Sequence, residues 1–139
     1  MKVLGIDYGD ARIGLAISDE IGIIATPIMT YKSQSMRKDI DFISRLAHEK
    51  GVGLIVLGLP LNMNGTSGDR VNKTQAFGRV LQKVSGIDIV YKDERLTTIY
   101  ADRALTEGNV SNKKRKQVID TMAAQIILQG YLDSKKIGG

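Results

Sequence analysis

Residues 2–18 read KVLGIDYGDARIGLAIS and contain two short apolar runs, residues 2–7 and 12–18. The residues between the runs, Tyr8-Gly9-Asp10-Ala11, supply a turn in which a glycine assists the reversal of the chain. An antiparallel hairpin is therefore predicted. Residues 21–31 form a third β-rich run, and its Pro27 favours an edge strand or an interrupted one, because proline cannot donate to a strand ladder.

Helices and strands alternate after residue 35. Residues 36–47 carry apolar side chains at three- and four-residue steps, which predicts an amphipathic helix that ends at Lys50-Gly51. Residues 53–59, GLIVLGL, are continuously apolar, as in a strand covered on both faces. Residues 87–91 are predicted to form a fifth strand. The helix between these two strands is closed by Ser85-Gly86, and its apolar residues are Val71, Ala76, Phe77, Val80, Leu81 and Val84.

The remainder of the chain is predicted to be mostly helical. Residues 96–105 look helical, residues 106–116 form a polar and basic connection, and a final long helix follows. The apolar stripe of that helix, centred near Ile119, Ala123 and Ile126, consists of Val118, Ile119, Met122, Ala123, Ile126 and Ile127. The order β-β-β-α-β-α-β-α-α requires parallel strands with crossover helices in its second part. The fold class is therefore α/β, with a mixed five-stranded sheet.

The composition is that of one ordinary globular domain, residues 1–139, with 42% hydrophobic and 25% charged residues. Because there is no cysteine and only one histidine, His48, thiolate and histidine-rich metal sites are excluded. The formal net charge of +5 favours a polyanionic partner. The N-terminus lacks the pattern of a secretion signal, and no apolar stretch is long enough to span a membrane. We therefore expect a cytoplasmic protein with no membrane partner.

Four acidic residues lie where the predicted fold would place a site. Asp7 ends the first strand on an otherwise apolar face, where a carboxylate is costly unless it is solvated, paired or bound to a metal. Asp93 and Glu94 directly follow the fifth strand. Asp120 falls at the edge of the apolar stripe of the final helix. Structural roles also fit some of them, since Asp7 could cap a turn, Asp93 a helix and Asp120 a loop.

Carboxylates that end strands and flank a helix can converge on a metal ion. Ligands of open α/β sheets bind beyond the carboxyl ends of the strands. Mg²⁺ or Mn²⁺ takes such oxygen ligands, and a two-metal site aligns an attacking water and a leaving oxygen for phosphodiester hydrolysis. The residues alone leave open whether Asp93 or Glu94 completes the set with Asp7 and Asp120.

A glycine-containing loop and a basic run favour a phosphate-bearing partner. Residues 58–70, GLPLNMNGTSGDR, precede a helix, where backbone N–H groups bind phosphate. Residues 113–116 place four cations at the start of the final helix, where the helix dipole disfavours them, and this suggests an external anion such as nucleic acid. With few aromatic residues, recognition of the backbone or its shape is expected. The candidate nucleic-acid-binding residues are Arg12, Asn62, Thr66, Arg95, Lys113, Lys114, Arg115 and Lys116.

Four ordered motifs run through essentially the whole chain. They are Gly5-Ile6-Asp7-Tyr8-Gly9 with Arg12-Ile13-Gly14, Gly58-Leu59-Pro60 with Gly65-Thr66, Asp93-Glu94-Arg95-Leu96-Thr97-Thr98, and Asp120 with Ala123-Ala124 and Ile127-Leu128. Together they resemble the motifs of the YqgF (RuvX) family. The resemblance implies an RNase H-like fold and either a Holliday junction resolvase or the nuclease that matures the end of the 16S ribosomal RNA precursor.

The resemblance also assigns roles to individual residues. It implies that Asp7, Glu94 and Asp120 are the catalytic carboxylates and hold the metal. The RuvC pattern has an acid near Gly58-Leu59-Pro60, and this sequence has none there. The second ligand must therefore come from Asp93-Glu94, and the family motif favours Glu94.

Three functions remain open at the level of sequence. The first is a metal-dependent endonuclease of structured RNA, with the ribosome or its precursor as a partner. The second is a resolvase of four-way DNA junctions, which must cut symmetrically and would be a homodimer. The third is a nucleic-acid-binding scaffold without catalysis, against which the three acids argue. An ATPase of the actin and sugar-kinase type opens similarly but needs two such domains, and 139 residues supply one.

Overall fold

The computed structural model describes residues 1–60, 68–94 and 112–137, and within the last segment it describes side chains over residues 122–135. Five strands form one sheet in the order β3-β2-β1-β4-β5. The antiparallel part contains β1 (Lys2–Tyr8), β2 (Arg12–Ser18) and β3 (Ala25–Lys32). The parallel part adds β4 (Val52–Leu59) beside β1 and β5 (Ile89–Asp93) beside β4. The mixed five-stranded sheet is confirmed.

The edge strand β3 begins later than the sequence predicts. Residues 21–24 precede it as a turn, in which Asp19 Oδ1 accepts the N–H groups of Ile23 and Ile24 at 2.7 and 3.1 Å. This local capping removes from the sheet four residues whose composition favours a strand. Pro27 lies in the outermost strand opposite Ala16, next to a register shift. Both predictions for Pro27, an edge position and an interruption, are thus confirmed.

Three helices are described. Helix α1 (Met36–Glu49) begins after Ser35, whose side chain accepts the N–H of Lys38. Helix α2 (Asp69–Ser85) ends at Gly86, which adopts the left-handed conformation typical of a C-terminal cap. Helix α3 (Asn112–Ile137) starts within the stretch that the sequence predicts as a connection, so residues 113–116 belong to its first turns. The predicted helix over residues 96–105 lies outside the described residues.

The sheet separates two apolar layers. Leu4 and Ile6 of β1 pack on the side covered by α1 and α2, and Val3 packs on the side covered by α3. Helix α3 lies directly on β1, because a Cβ at Gly5 would stand only 2.7 Å from the Cβ of Leu128. Alternation along the strand places Asp7 on this same α3 side, near the carboxyl end of β1.

The start of β5 is predicted wrongly, and the buried face of α2 differs from its set of apolar residues. Strand β5 begins at Ile89 rather than at residue 87. Val80 and Val84, two of the apolar residues from which helix α2 is predicted, are exposed, Val84 by 55%. The helix instead buries Thr74 and Gly78 beside the large residues Phe77 and Leu81, because a close contact with the sheet selects small side chains as well as apolar ones. No helix among the described residues is long and apolar enough to cross a membrane.

Candidate active site

Two carboxylates meet at the carboxyl ends of the parallel strands. Asp7 is the penultimate residue of β1 and pairs with Gly14 on β2. Glu94 follows the last residue of β5, and its N–H donates to the carbonyl of Leu59 on β4 at 3.2 Å. Because β4 lies between β1 and β5, the Glu94 side chain must reach across β4 to approach Asp7. It does so, and the two side chains share a hydrogen bond.

Gly58 of β4 makes this approach possible. A Cβ at this position would collide with a carboxylate oxygen of Glu94 and would lie 2.6 Å from Cδ1 of Ile127. The Glu94 carboxyl group therefore occupies the space that any side chain at Gly58 would fill. The backbone of β4 at Gly58 thus forms the floor of the site, and α3 borders it through Ile127.

The electrostatics of the pair are unusual. Burial, followed by the charge of Asp7 and its hydrogen bond, raises the pKa of Glu94 from 4.5 to about 9. The guanidinium of Arg70 opposes the shift. Glu94 is therefore protonated at neutral pH and can donate a hydrogen bond to the Asp7 carboxylate.

This donor set fits a hard divalent cation. Both groups offer oxygen ligands, and a bound cation would replace the proton that now lets them lie together. Within residues 1–60 and 68–94 and the described side chains of α3, no group of three or more acidic, histidine or cysteine residues surrounds a common point. The pair therefore needs a ligand from elsewhere to complete a metal site.

Asp120 lies on α3, and its side chain is outside the described part of the chain. The sequence centres the apolar stripe of this helix near Ile119, Ala123 and Ile126. Ala123 is buried as predicted, Ile126 is only partly buried, and Ile119 lies outside the described side chains. Over residues 122–135 the buried face is rotated from the predicted one, with Ala123, Ala124, Ile127, Leu128 and Leu132 as its buried members. Asp120 precedes Ala124 by four residues and Ile127 by seven, the spacing of one and two helical turns.

Asp93 differs from its neighbour. It is the last residue of β5, is exposed, and pairs with Leu59 of β4. Successive side chains of a strand point to opposite faces, which agrees with Glu94 alone reaching Asp7. The Asp93 charge also contributes to the raised pKa of Glu94, as the smallest of the causes.

The predicted nucleic-acid-binding residues fall into three groups. Arg12 begins β2, is partly buried, and accepts the N–H of Gly9 through its carbonyl at 3.0 Å. The side chains of residues 113–116 are outside the described part, although their backbone lies in α3. Asn62, Thr66 and Arg95 lie outside the described residues altogether.

Sequence reasoning missed two cations next to the pair. Arg70 of α2 donates to the carbonyl of Tyr8 at 2.6 Å and to Oδ1 of Asp10 at 2.5 Å. Lys73, one turn later, donates to the same oxygen of Asp10 at 3.1 Å. One signal in the sequence could have revealed Arg70, namely a cation in the first turn of a helix that begins at the carboxyl edge of the sheet, where the dipole disfavours it.

The sheet order, the covering helices and the strand-end acids define the RNase H-like fold of RuvC-type resolvases. The fold matches a structure of T. thermophilus RuvC in complex with a Holliday junction substrate, with a TM-score of 0.62 and 14% identity over 98% of this chain and 96% of that one. It also matches Fowlpox virus resolvase in complex with its substrate Holliday junction DNA, with a TM-score of 0.58 and 14% identity over 97% and 99%.

The family model described as "RuvX: Holliday junction resolvase" matches residues 1–134, and the chain belongs to this family. A relative from Clostridioides difficile (strain 630), named "Putative pre-16S rRNA nuclease", is 47% identical over 96% of this chain and 95% of its own length. A Bacillus thuringiensis (strain Al Hakam) relative with the same name is 49% identical over 97% and 100%. The predicted family is confirmed, and membership makes the chain a nuclease, a hydrolase of phosphodiester bonds.

Proposed function

We propose that the chain, as one domain over residues 1–139, is a divalent-metal-dependent endonuclease that acts on the precursor of 16S ribosomal RNA. The observation that carries the proposal is the pair of Asp7 and Glu94 at the carboxyl ends of β1 and β5. Titratable groups with strongly perturbed pKa values in partly buried sites cluster at functional sites, and this pair fits that pattern. The names of the relatives supply the substrate. Such a substrate implies a cytoplasmic enzyme that meets the ribosome precursor.

Asp7, Glu94 and Asp120 would hold the metal, Mg²⁺ or Mn²⁺. When bound, such ions lower the pKa of a water molecule and stabilise charge on the leaving oxygen. Asp7 would be the fixed ligand, since its strand is central in the sheet. Glu94 must lose its proton to join it, so the pair controls the charge of the site. Asp120 would approach from α3, which packs on β1 and lies against Gly58 through Ile127.

The remaining candidates would bind the substrate. Arg12 and Arg95 lie close in sequence to the proposed ligands, and the cations at 113–116 belong to the helix that carries Asp120. Asn62 and Thr66 follow β4 in the sequence. Such contacts neutralise backbone phosphates and carry no information about the base sequence. They suit a substrate that is recognised by the shape of its folded RNA.

Cleavage of four-way DNA is the second candidate function. The family description and the solved relatives bound to Holliday junctions favour it. A resolvase cuts two strands symmetrically and would act as a homodimer, whereas RNA maturation requires one active site. The mass of the protein in solution therefore separates the two candidates.

The test is incubation of the purified protein with a 16S precursor RNA and, separately, with a four-way DNA junction. Each reaction contains Mg²⁺, Mn²⁺ or EDTA, and the Asp7→Asn variant serves as the control for contaminating nucleases. We expect site-specific cleavage of the RNA with either metal and none with EDTA. Cleavage of the junction alone would favour the resolvase. Binding of both without any cleavage would leave only the non-catalytic scaffold.

A further inference from the structure

Two cationic side chains donate to one carboxylate oxygen of Asp10, near the end of β1. Arg70 Nη1 and Lys73 Nζ, from successive turns of α2, both donate to Oδ1 of Asp10, at 2.5 and 3.1 Å. We call these three residues the Asp10 cluster. Asp10 lies in the β1–β2 turn, sixty residues away along the chain. Such convergence of a guanidinium and an ammonium on one oxygen is the arrangement that binds an anionic phosphate oxygen.

Arg70 is held in place independently of Asp10. Its Nη2 donates to the carbonyl of Tyr8 at 2.6 Å, and its guanidinium lies 5.7 Å from the centre of the Tyr8 ring. That ring is itself stacked on Phe77 of α2, with a centroid distance of 4.1 Å. The cation would therefore keep its position if the Asp10 carboxylate moved away.

Asp10 is held much less firmly. Its side chain is 68% exposed, and those of Arg70 and Lys73 are 36% and 62% exposed. Exposed ion pairs contribute little to stability, because water solvates the separated charges well. An incoming anion could thus replace the Asp10 carboxylate at little cost.

The cluster lies next to the proposed catalytic centre. Arg70 binds the carbonyl of Tyr8, the residue that directly follows Asp7. Its charge also lowers the pKa of Glu94, which shows that it acts electrostatically on the carboxylate pair. An anion bound by Arg70 would therefore lie beside the site at which a phosphodiester is cleaved.

We propose that Arg70 and Lys73 form a binding subsite for a backbone phosphate of the nucleic-acid substrate, and that Asp10 fills this subsite in the free protein until that phosphate displaces it. The inference rests on the proposed function, because it assumes a nucleic-acid substrate at the Asp7–Glu94 pair. The phosphate would be one that flanks the cleaved bond.

The experiment compares two aspartates. Asp10→Asn and Asp41→Asn each remove one negative charge and break one exposed Asp–Arg ion pair, but Asp41 pairs with Arg45 on α1, away from the site. Affinities for a labelled RNA hairpin and a labelled four-way DNA junction are measured by fluorescence anisotropy in EDTA. We expect Asp10→Asn to tighten binding by about three- to tenfold and Asp41→Asn to change it by less than about twofold, since the latter alters the net charge and frees a cation only away from the site.

A mutant cycle assigns the effect to the two cations. Arg70→Gln and Lys73→Gln should each weaken binding and reduce the salt slope by about one. Combined with both substitutions, Asp10→Asn should no longer tighten binding. Arg70→Lys should retain part of the affinity, which a purely structural role in holding the Tyr8 carbonyl would not require.

Two results would overturn the inference. One is equal affinity of Asp10→Asn and Asp41→Asn. The other is a gain from Asp10→Asn that persists without Arg70 and Lys73, which would make it a general charge effect. If either occurs while the wild-type protein still cleaves its substrate, only the subsite fails. If the wild-type protein binds neither the hairpin nor the junction, the proposed function fails together with it.

Discussion

The side chains of Asp7 and Glu94 share a hydrogen bond across the surface of β4, directly above Gly58. Two ionised carboxylates within hydrogen-bonding reach of each other would repel, so Glu94 keeps its proton in the metal-free protein. Metal binding must displace that proton, because only ionised carboxylates are good ligands. On the proposed function, the same arrangement would set the stability, the metal affinity and the activity of the protein.

The stability of the metal-free protein should fall as the pH rises. The pKa of Glu94 is about 9 in the folded state and 4.5 when unperturbed, so the folded protein binds more protons between these values. The contribution is fully present below pH 4.5 and is lost through pH 9, by at most about 1.4 kcal/mol per pH unit. Denaturant unfolding in EDTA from pH 5 to 9 measures it. Glu94→Gln should flatten the profile, and Glu49→Gln, at the exposed end of α1, should not.

Asp7→Asn should remove hydrolysis and leave the fold intact. The amide lacks the charge that holds a cation, and without that charge the pKa of Glu94 falls toward its ordinary value. In EDTA at pH 8 we expect the variant to be more stable than the wild type by on the order of 1–2 kcal/mol. Circular dichroism and thermal unfolding check the fold, and the cleavage assay checks activity. Cleavage at the wild-type rate would contradict a metal site at Asp7.

Glu94→Gln and Asp93→Asn should have opposite effects. Glu94→Gln should abolish metal-dependent cleavage, because the amide cannot supply a charged ligand to the site. Asp93→Asn should keep activity and change stability by about a kcal/mol or less, since Asp93 is an exposed residue at the end of β5. Rates under single-turnover conditions and unfolding curves distinguish them. If the activities are reversed, Asp93 is the ligand.

Gly58→Ala should reduce the rate of cleavage strongly, although it adds only one methyl group. The added methyl group would collide with the Glu94 carboxylate and with Ile127, so Glu94 must move away from Asp7. Gly53→Ala is the matched control on the same strand, since its Cβ would meet only the flexible side chain of Met1. We expect at least a tenfold loss of rate for Gly58→Ala, equivalent to about 1.4 kcal/mol, and almost none for Gly53→Ala. Similar rates would show that Glu94 has room elsewhere.

Neutralising the four cations at residues 113–116 should weaken binding about equally for all nucleic-acid sequences. Each lost phosphate contact releases about one fewer counterion, so the dependence of affinity on salt should become shallower. Titrations at several salt concentrations measure both effects. Unchanged affinity and slope would show that these side chains only solvate the start of α3.

The sequence predicts the sheet and one half of the site for a simple reason. Alternation and continuous apolar runs are local patterns, and they fix which strands are buried and which face Asp7 occupies. The Asp10 cluster is different, because Arg70 meets Asp10 only through tertiary packing of α2 on the β1–β2 turn. No local pattern encodes a contact over sixty residues.

Errors in the helices have a related cause. The predicted stripes of α2 and α3 weigh each residue by its own hydrophobicity. The structure instead buries small residues such as Ala124 and Gly78, which permit close contact, and it exposes Val84. For α3 this rotates the buried face toward Ala124 and Ile127, the residues one and two turns after Asp120.

The absence of a side chain at Gly58 matters for the classification of related sequences as active or inactive nucleases. A protein of this family that keeps all three acids would ordinarily be classified as an active nuclease. Should its residue equivalent to Gly58 carry a side chain, the two strand-end carboxylates could not meet, and the protein would be a pseudoenzyme with an intact acid signature. Surveys that score only the charged positions would miss such inactivation, and a single neutral glycine is the more informative marker.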